Sequence, residues 1–456
     1  MDQVATNALH NSGHDFDPPE CHPGTRVAVI EAIMNWLAGA DEDTRAKGVN
    51  WLTGAAGAGK SAIGRSICER CALEGTLLAS FFFGSSDAAR NHSKTLVATI
   101  AYQICSFAPS IRQAVSDFID NDPHIFSKSL RTQFVSLVMD PLLTFYAHGT
   151  QNLRRLIVID GLDECVDPSS QRDILETITY LITTYPYFPI RFLVCSRPES
   201  NIKNVIHGVG MSATVFTISL GDEYDAEEDI DKYLHDNFTA IREGHIFRHL
   251  IPEYWPKQTH IRTLLHKSSG QFIYASTVIR YILSSDDMPH RRLEVILGLR
   301  PPHGELPFAQ LDALYLHILT MTKDPPMAAK LLTFLALYGG TLVSILARYL
   351  GLEDEEVELM LSKLVAVVAS KPNEQDNNVI VFHLLHRSFE DFLFDQSRSK
   401  TLYLSREDAE ASHILRSIQI FSSTPFFLQA SAVIYITCNL RAHRLYRTPW
   451  RVPNQS

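Results

Sequence analysis

The chain has 456 residues, too many for one ordinary domain. Hydrophobic residues make up 45% and charged residues 20%, a globular balance that excludes a disordered chain. The net charge of −10 argues against a nucleic-acid surface as the main function.

Seven cysteines, an odd number at scattered spacing, read as reduced thiols in a cytoplasmic protein. Cys68 and Cys71 form a C-x-x-C, but no second pair or nearby His completes a zinc site, so they read as ordinary helix residues. No secretory signal opens the chain. The apolar stretch Phe426–Cys438 is too short for a membrane span.

Residues 1–20, rich in Asn, Asp, His and Pro, predict a disordered tail. Val27–Leu37 has helical spacing. Val49–Thr53 is a short apolar strand that runs into a glycine loop, and residues 61–73 continue as a helix. Leu77–Phe83 predicts a second strand, and residues 93–146 predict mostly amphipathic helix. Leu156–Ile159, Ile190–Cys195 and Val215–Leu220 complete the strands. Apolar strands alternating with helices indicate an α/β fold, a P-loop-type parallel sheet with helices on both faces.

Beyond residue 222, Leu, Ile and Tyr recur at helical spacing through 229–237, 259–283, 307–322 and 328–350. Residues 329–395 suggest a helix, a turn at Gly339-Gly340, two more helices, and a strand at Asn378–Phe382. That order suits a winged helix. The expected division is a nucleotide-binding domain at 21–222, a helical domain at 223–326, a winged-helix-like domain at 327–396, and a helical segment at 397–456.

Gly54-Ala55-Ala56-Gly57-Ala58-Gly59-Lys60-Ser61 matches G-x-x-x-x-G-K-[ST] at every fixed position. Its glycines let backbone N–H groups turn toward phosphate oxygens, and the following helix presents its positive end to them. Gly54, Gly57, Ala58, Gly59, Lys60, Ser61 and Ala62 are the expected ATP/ADP contacts. Lys60 reaches the β- and γ-phosphates, and the Ser61 hydroxyl ligates Mg²⁺. The second motif is Leu156-Ile157-Val158-Ile159-Asp160-Gly161-Leu162-Asp163-Glu164. Its strand delivers Asp160 to the carboxyl edge of the sheet, where it holds the same Mg²⁺. Asp163 and Glu164 are the candidate catalytic acids, either of which can orient or deprotonate water. Ser196-Arg197-Pro198 places a cation at another strand end. In Phe382-His383-Leu384-Leu385-His386, the two His lie three apart without a third ligand, so no metal site is expected there.

These motifs resemble the NACHT family of signal-transduction P-loop ATPases, especially the fungal NOD-like receptor type related to the nephrocystin-3 N-terminal region. The resemblance runs over about residues 21–396. It is carried by Cys21-His22-Pro23-Gly24-Thr25-Arg26, Asn50-Trp51-Leu52, the P-loop, Phe81-Phe82-Phe83, Thr99-Ile100-Ala101-Tyr102-Gln103, and Asp160 through Glu164. Gly270-Gln271-Phe272-Ile273-Tyr274-Ala275 and His386-Arg387-Ser388-Phe389 complete it. The family implies a switch closed by ADP and opened by ATP, with Arg197 sensing the γ-phosphate and His386 contacting ADP in the closed state. It also implies self-association or binding to other signalling proteins. Gln271-Phe272 stands where many members carry a proline that packs on adenine. Competing readings are an adaptor that binds nucleotide without significant hydrolysis, a P-loop small-molecule kinase, and a winged-helix DNA-binding regulator. The few Lys and Arg in Ile345–Val368 count against the last.

Overall fold

The computed structural model describes residues 3–12, 20–85, 87–147, 154–221, 224, 226–283, 288–299, 308–372 and 380–423. The chain divides into two compact units, Met1–Ser85 with Ala89–Gly298, and Ser86–Ala88 with Leu299–Ser456.

The first unit is built on β1 (Val49–Gly54), β2 (Leu77–Phe82), β3 (Arg155–Asp160), β4 (Ile190–Ser196) and β5 (Val215–Leu220). They form one sheet in the order β2-β3-β4-β1-β5, every pair parallel. The strands read as near-continuous apolar runs because both faces are covered. Ile157, Ile159, Phe192 and Val194 point into one core cluster, and Leu156, Val158, Leu193 and Cys195 into the other. Helices α1 (Val27–Ala38) and α2 (Lys60–Leu73) supply the second cluster. Helices α3 (Leu96–Ile104), α4 (Pro109–Asn121), α5 (Leu130–Phe134), α6 (Asp140–Ala147), α7 (Pro168–Thr184) and α8 (Ser200–Ile206) cover the first.

The helical run expected at 93–146 is broken for identifiable reasons. Pro109 opens α4 at a position where a missing N–H costs nothing. Pro141 cannot donate back along the helix, and the wider π turn Val135–Met139 lies immediately ahead of its helix.

Residues 3–12 pack as an ordered segment where composition predicts a free tail. Ala5 and Ala8 are buried in the core, and the Ala5 N–H donates to Thr99 Oγ1 at 2.9 Å. The His10 N–H donates to Ser80 Oγ at 3.1 Å, and Arg65 of α2 donates to the His10 carbonyl. On edge strand β2, the Gln103 side-chain amide takes both the Ser80 N–H (2.9 Å) and the Ser80 carbonyl (2.8 Å). Edge groups that would otherwise pair with another chain are thereby satisfied.

Four helices finish the first unit: α9 (Glu227–Gly244), α10 (Gln258–Ser268), α11 (Phe272–Leu283) and α12 (Pro289–Gly298). The second unit begins with α13 (Ala309–Thr320) and α14 (Pro325–Tyr338), so the helical stretch expected at 223–326 is shared between the units. Gly339, at φ 73°, ends α14. Then follow β6 (Thr341–Leu342), α15 (Val343–Leu350), α16 (Asp354–Ser362), β7 (Val368–Pro372), β8 (Ile380–Leu384), α17 (Arg387–Leu393), α18 (Gln396–Ser399) and α19 (Arg406–Ser423). The three strands form an antiparallel sheet in the order β6-β8-β7. Strand β7 is unanticipated; of the strand expected at Asn378–Phe382, Ile380–Phe382 lie in β8, which runs on to Leu384, and residues 378–379 lie outside the described residues.

The core of this unit stacks Tyr315 on Phe389 and Phe392, with ring centroids 4.7 and 5.4 Å apart, and the Tyr315 hydroxyl meets Ser388 Oγ at 2.9 Å. Arg398 grips Asp312 through two nitrogens, at 2.7 and 3.0 Å. Phe426–Cys438 lies outside the described residues. Among the described residues, no helix is long and apolar enough to cross a membrane, and six cysteines are free thiols.

Candidate functional site

The chain leaves β1 toward one edge of the sheet, by way of α2 to β2, and leaves β4 toward the other edge, by way of α8 to β5. Connections diverging from adjacent strands open a crevice at their carboxyl ends, where open α/β sheets bind ligands. The glycine loop leaves β1 here, and Ser196-Arg197 leave β4 beside it.

Gly57 and Gly59 have φ of 75° and 91°, the left-handed region in which a side chain is strained. A Cβ on Gly57 would also stand 2.2 Å from Ile273 Cγ2, because α11 packs directly on the loop. Ala55 through Gly59 therefore curl into a concave backbone, and α2 begins at Lys60 on its rim. The Lys60 ammonium donates to the Gly54 and Ala55 carbonyls at 2.8 and 2.9 Å. Burial pulls the Lys60 pKa down, and the nearby Asp163 carboxylate opposes that shift.

Asp160 ends β3 and is only 3% exposed. Burial raises its pKa to about 6, with the Ser61 hydroxyl pulling the other way. Its Oδ1 is buried without a hydrogen-bond partner. Gly64 of α2 permits the close approach: a Cβ there would lie 3.3 Å from Asp160 Oδ1 and 3.6 Å from Cys195 Sγ. A buried carboxylate oxygen without a partner, beside a serine hydroxyl, is a donor set that fits a hard divalent cation such as Mg²⁺. Among the described residues, no group of three or more His, Cys, Asp and Glu could hold a metal.

After Asp160, Gly161 turns the chain at φ 69° into the short turn Leu162–Glu164. Asp163 is 7% exposed and engages Arg197 twice. Its Oδ1 accepts the Arg197 backbone N–H at 3.0 Å, and its Oδ2 pairs with Arg197 Nε at 3.2 Å. Glu164 is half-buried, and its Oε2 accepts the Ser85 N–H at 3.0 Å, from the loop that follows β2. The two acids thus have different surroundings: Asp163 fixes a cation, and Glu164 faces the β2 end.

Arg26 carries structure that motif reading missed. It is buried, donates to the Ala58 carbonyl at 3.0 Å, lies 3.9 Å from Asp229 of α9, and stacks 4.9 Å from the Phe272 ring centroid. One guanidinium thereby ties the glycine loop to α9 and α11. The signal was Arg26 within the Cys21–Arg26 stretch, but nothing local names its partners. Ala62 follows Ser61 in α2, partly buried. His386 belongs to the second unit, where it immediately precedes α17 and its side chain makes no capping hydrogen bond to the helix.

Solved structures with partial likeness include the Walker-type ATPase PABY2304 of Pyrococcus abyssi, 12% identical, with a TM-score of 0.39, covering 82% of this chain and 97% of that one. The ORC2 protein of Aeropyrum pernix in its ADP form is 14% identical at a TM-score of 0.38, covering 89% and 97%. CDC6P from Pyrobaculum aerophilum is 10% identical at 0.38, covering 90% and 98%. Likeness at this level carries no argument, and the fold rests on the sheet itself. No curated protein sequence matches the chain. The stretch that holds the glycine loop and runs from α1 to Arg197, residues 29–197, matches the family model described as Nephrocystin 3, N-terminal.

Proposed function

We propose that the chain is an ATP/ADP-binding regulatory switch of the NACHT type, with slow hydrolysis and nucleotide-dependent self-association. One observation carries this reading: the glycine loop with Lys60 and Ser61 stands at the same sheet edge as the buried, partner-short Asp160. The backbone N–H groups of Gly57, Ala58 and Gly59 bind phosphate oxygens, and Lys60 leaves the loop carbonyls for the phosphates. Ser61 and Asp160 hold the magnesium, which when bound neutralises phosphate charge. Glu164 is the better placed of the two acids to orient water, because Asp163 is committed to Arg197. Arg197, held at the end of β4, reports on the terminal phosphate.

The order α14-β6-α15-α16-β7-β8 supports a winged helix in the second unit. His386, just beyond it, is the residue proposed to contact ADP in a closed state. The Ser85 contact on Glu164 favours a second reading, a nucleotide-binding adaptor that barely hydrolyses. Denaturing the purified protein and identifying the released nucleotide tests the first claim. Tightly retained ADP supports a switch, whereas a protein that holds no nucleotide and binds none on titration defeats both readings. Turnover measured beside binding separates the two.

A further inference from the structure

The connection between α9 and α10 holds four large apolar side chains outward. Ile246 is 78% and Tyr254 81% exposed, and Phe247 and Leu250 are exposed beside them. Apolar residues scattered singly over a surface need no explanation, but a cluster within nine residues marks an interaction site. The platform is built rather than loose. Ile251 and Trp255 are buried beneath it, and Trp255 packs edge-on against Phe238 of α9 at 5.2 Å. Successive turns bond Arg248 N–H to the His245 carbonyl, Leu250 N–H to Phe247 and Ile251 N–H to Arg248.

Its charge is distinctive. Residues 242–262 contain four Arg or Lys (242, 248, 257 and 262) and two Glu (243 and 253), a balance of +2 in a chain of −10. All four cations are exposed. The second unit offers the complement. Helix α16 opens with Asp354, Glu355 and Glu358 exposed, followed by an exposed Leu359, while Glu353 and Glu356 are occupied by the helix cap.

We propose that the apolar, basic platform of residues 242–262 docks a second copy of this chain through the acidic face of α16. The two surfaces differ, so each contact pairs the platform of one copy with α16 of another. Apolar side chains supply the affinity and the charges set the register and the rate of encounter. This gives the self-association of the proposed function a surface, and it is tested without reference to nucleotide.

Sedimentation velocity over a range of concentrations tests it. The wild-type mass should rise with concentration and fall back as salt is added, because exposed charge pairs are screened. Phe247→Asp should weaken association roughly tenfold or more, on the scale of losing an interface anchor, while its ADP affinity by titration stays unchanged. That second measurement separates this inference from the nucleotide-binding reading. A chain with Arg248→Glu and Arg262→Glu, and a chain with Glu355→Arg and Glu358→Arg, should each fail to associate alone yet associate at one-to-one composition when mixed. Their thermal denaturation should confirm that both are folded. Three results overturn the proposal: a folded wild type that is monomeric throughout, mixed reversals that do not pair, or a platform that instead binds phosphatidylserine vesicles through Phe247.

Discussion

Lys60→Ala is the most direct test of the glycine loop. In the structure the ammonium rests on the Gly54 and Ala55 carbonyls at 2.8 and 2.9 Å, in surroundings that already lower its pKa. A partly desolvated cation gains most when a multiply charged anion arrives. Removing one partner of such a contact costs about 2–4 kcal/mol. At 1.4 kcal/mol per decade, that is roughly thirty- to several-hundred-fold in Kd. Folding should barely change. Water can replace the ammonium on two loop carbonyls, and the cost of burying a charge disappears, so the shift stays within about 1 kcal/mol. Isothermal titration with ATP and Mg²⁺, run beside thermal denaturation without nucleotide, reads both quantities. An unchanged affinity in a stably folded variant would refute the assignment of Gly54–Ser61 as the phosphate site.

Glu164→Gln should slow hydrolysis by ~10²–10⁴-fold while leaving ATP affinity near wild type, since the amide oxygen still accepts from Ser85; single-turnover rates decide it, and a wild-type rate removes Glu164 from the chemistry. Asp163→Asn breaks the Arg197 pair and should cost about 1–3 kcal/mol in urea denaturation, below a fully buried pair because Arg197 keeps some solvent contact. Gly57→Ala meets two penalties, a left-handed backbone worth roughly 1–2 kcal/mol and a clash with Ile273; Ile273→Ala removes the Cγ2 contact but leaves its Cβ 2.8 Å from the new methyl, so the double variant should stay below Ile273→Ala alone in thermal stability, and equal stability would show that neither penalty operates. His413 of α19 is buried among Phe334, Tyr338 and Tyr349 with neither ring nitrogen paired, and burial lowers its pKa to about 4. Because the folded value lies below the unfolded 6.5, its neutral form favours folding above that pH. That contribution is lost as pH falls from 6.5 toward 4, roughly 3 kcal/mol in all. Protection factors in α19, with each exchange rate referred to the free-peptide rate at the same pH, should fall over that window, and His413→Phe should flatten the profile.

Much of the first unit was legible because its signals are local. A strand that stops at a glycine run, or at Asp160, announces the carboxyl edge of a sheet within a few residues. The pairing of Asp163 with Arg197 was not legible, since two strands that are neighbours in space are separated by a whole helix in the chain. Arg26 was hidden for the same reason, with partners at Ala58, Asp229 and Phe272. Strand β7 escaped notice because Ala366-Val367-Val368-Ala369 follows directly on a helix and its return strand lies beyond a polar stretch. The ordered residues 3–12 defied composition because two small side chains, Ala5 and Ala8, suffice to seat them.

That seating has a mechanical consequence. The His10 carbonyl is fastened to Arg65, which lies five residues along the same rigid helix that begins at Lys60. Five residues of helix span about 7.5 Å. A pull on residues 3–12 is therefore borne by the helix that begins with Lys60, not dissipated in a slack tether. Force applied to residues 3–12 and charge arriving at the glycine loop thus act on the same helix, within its first two turns.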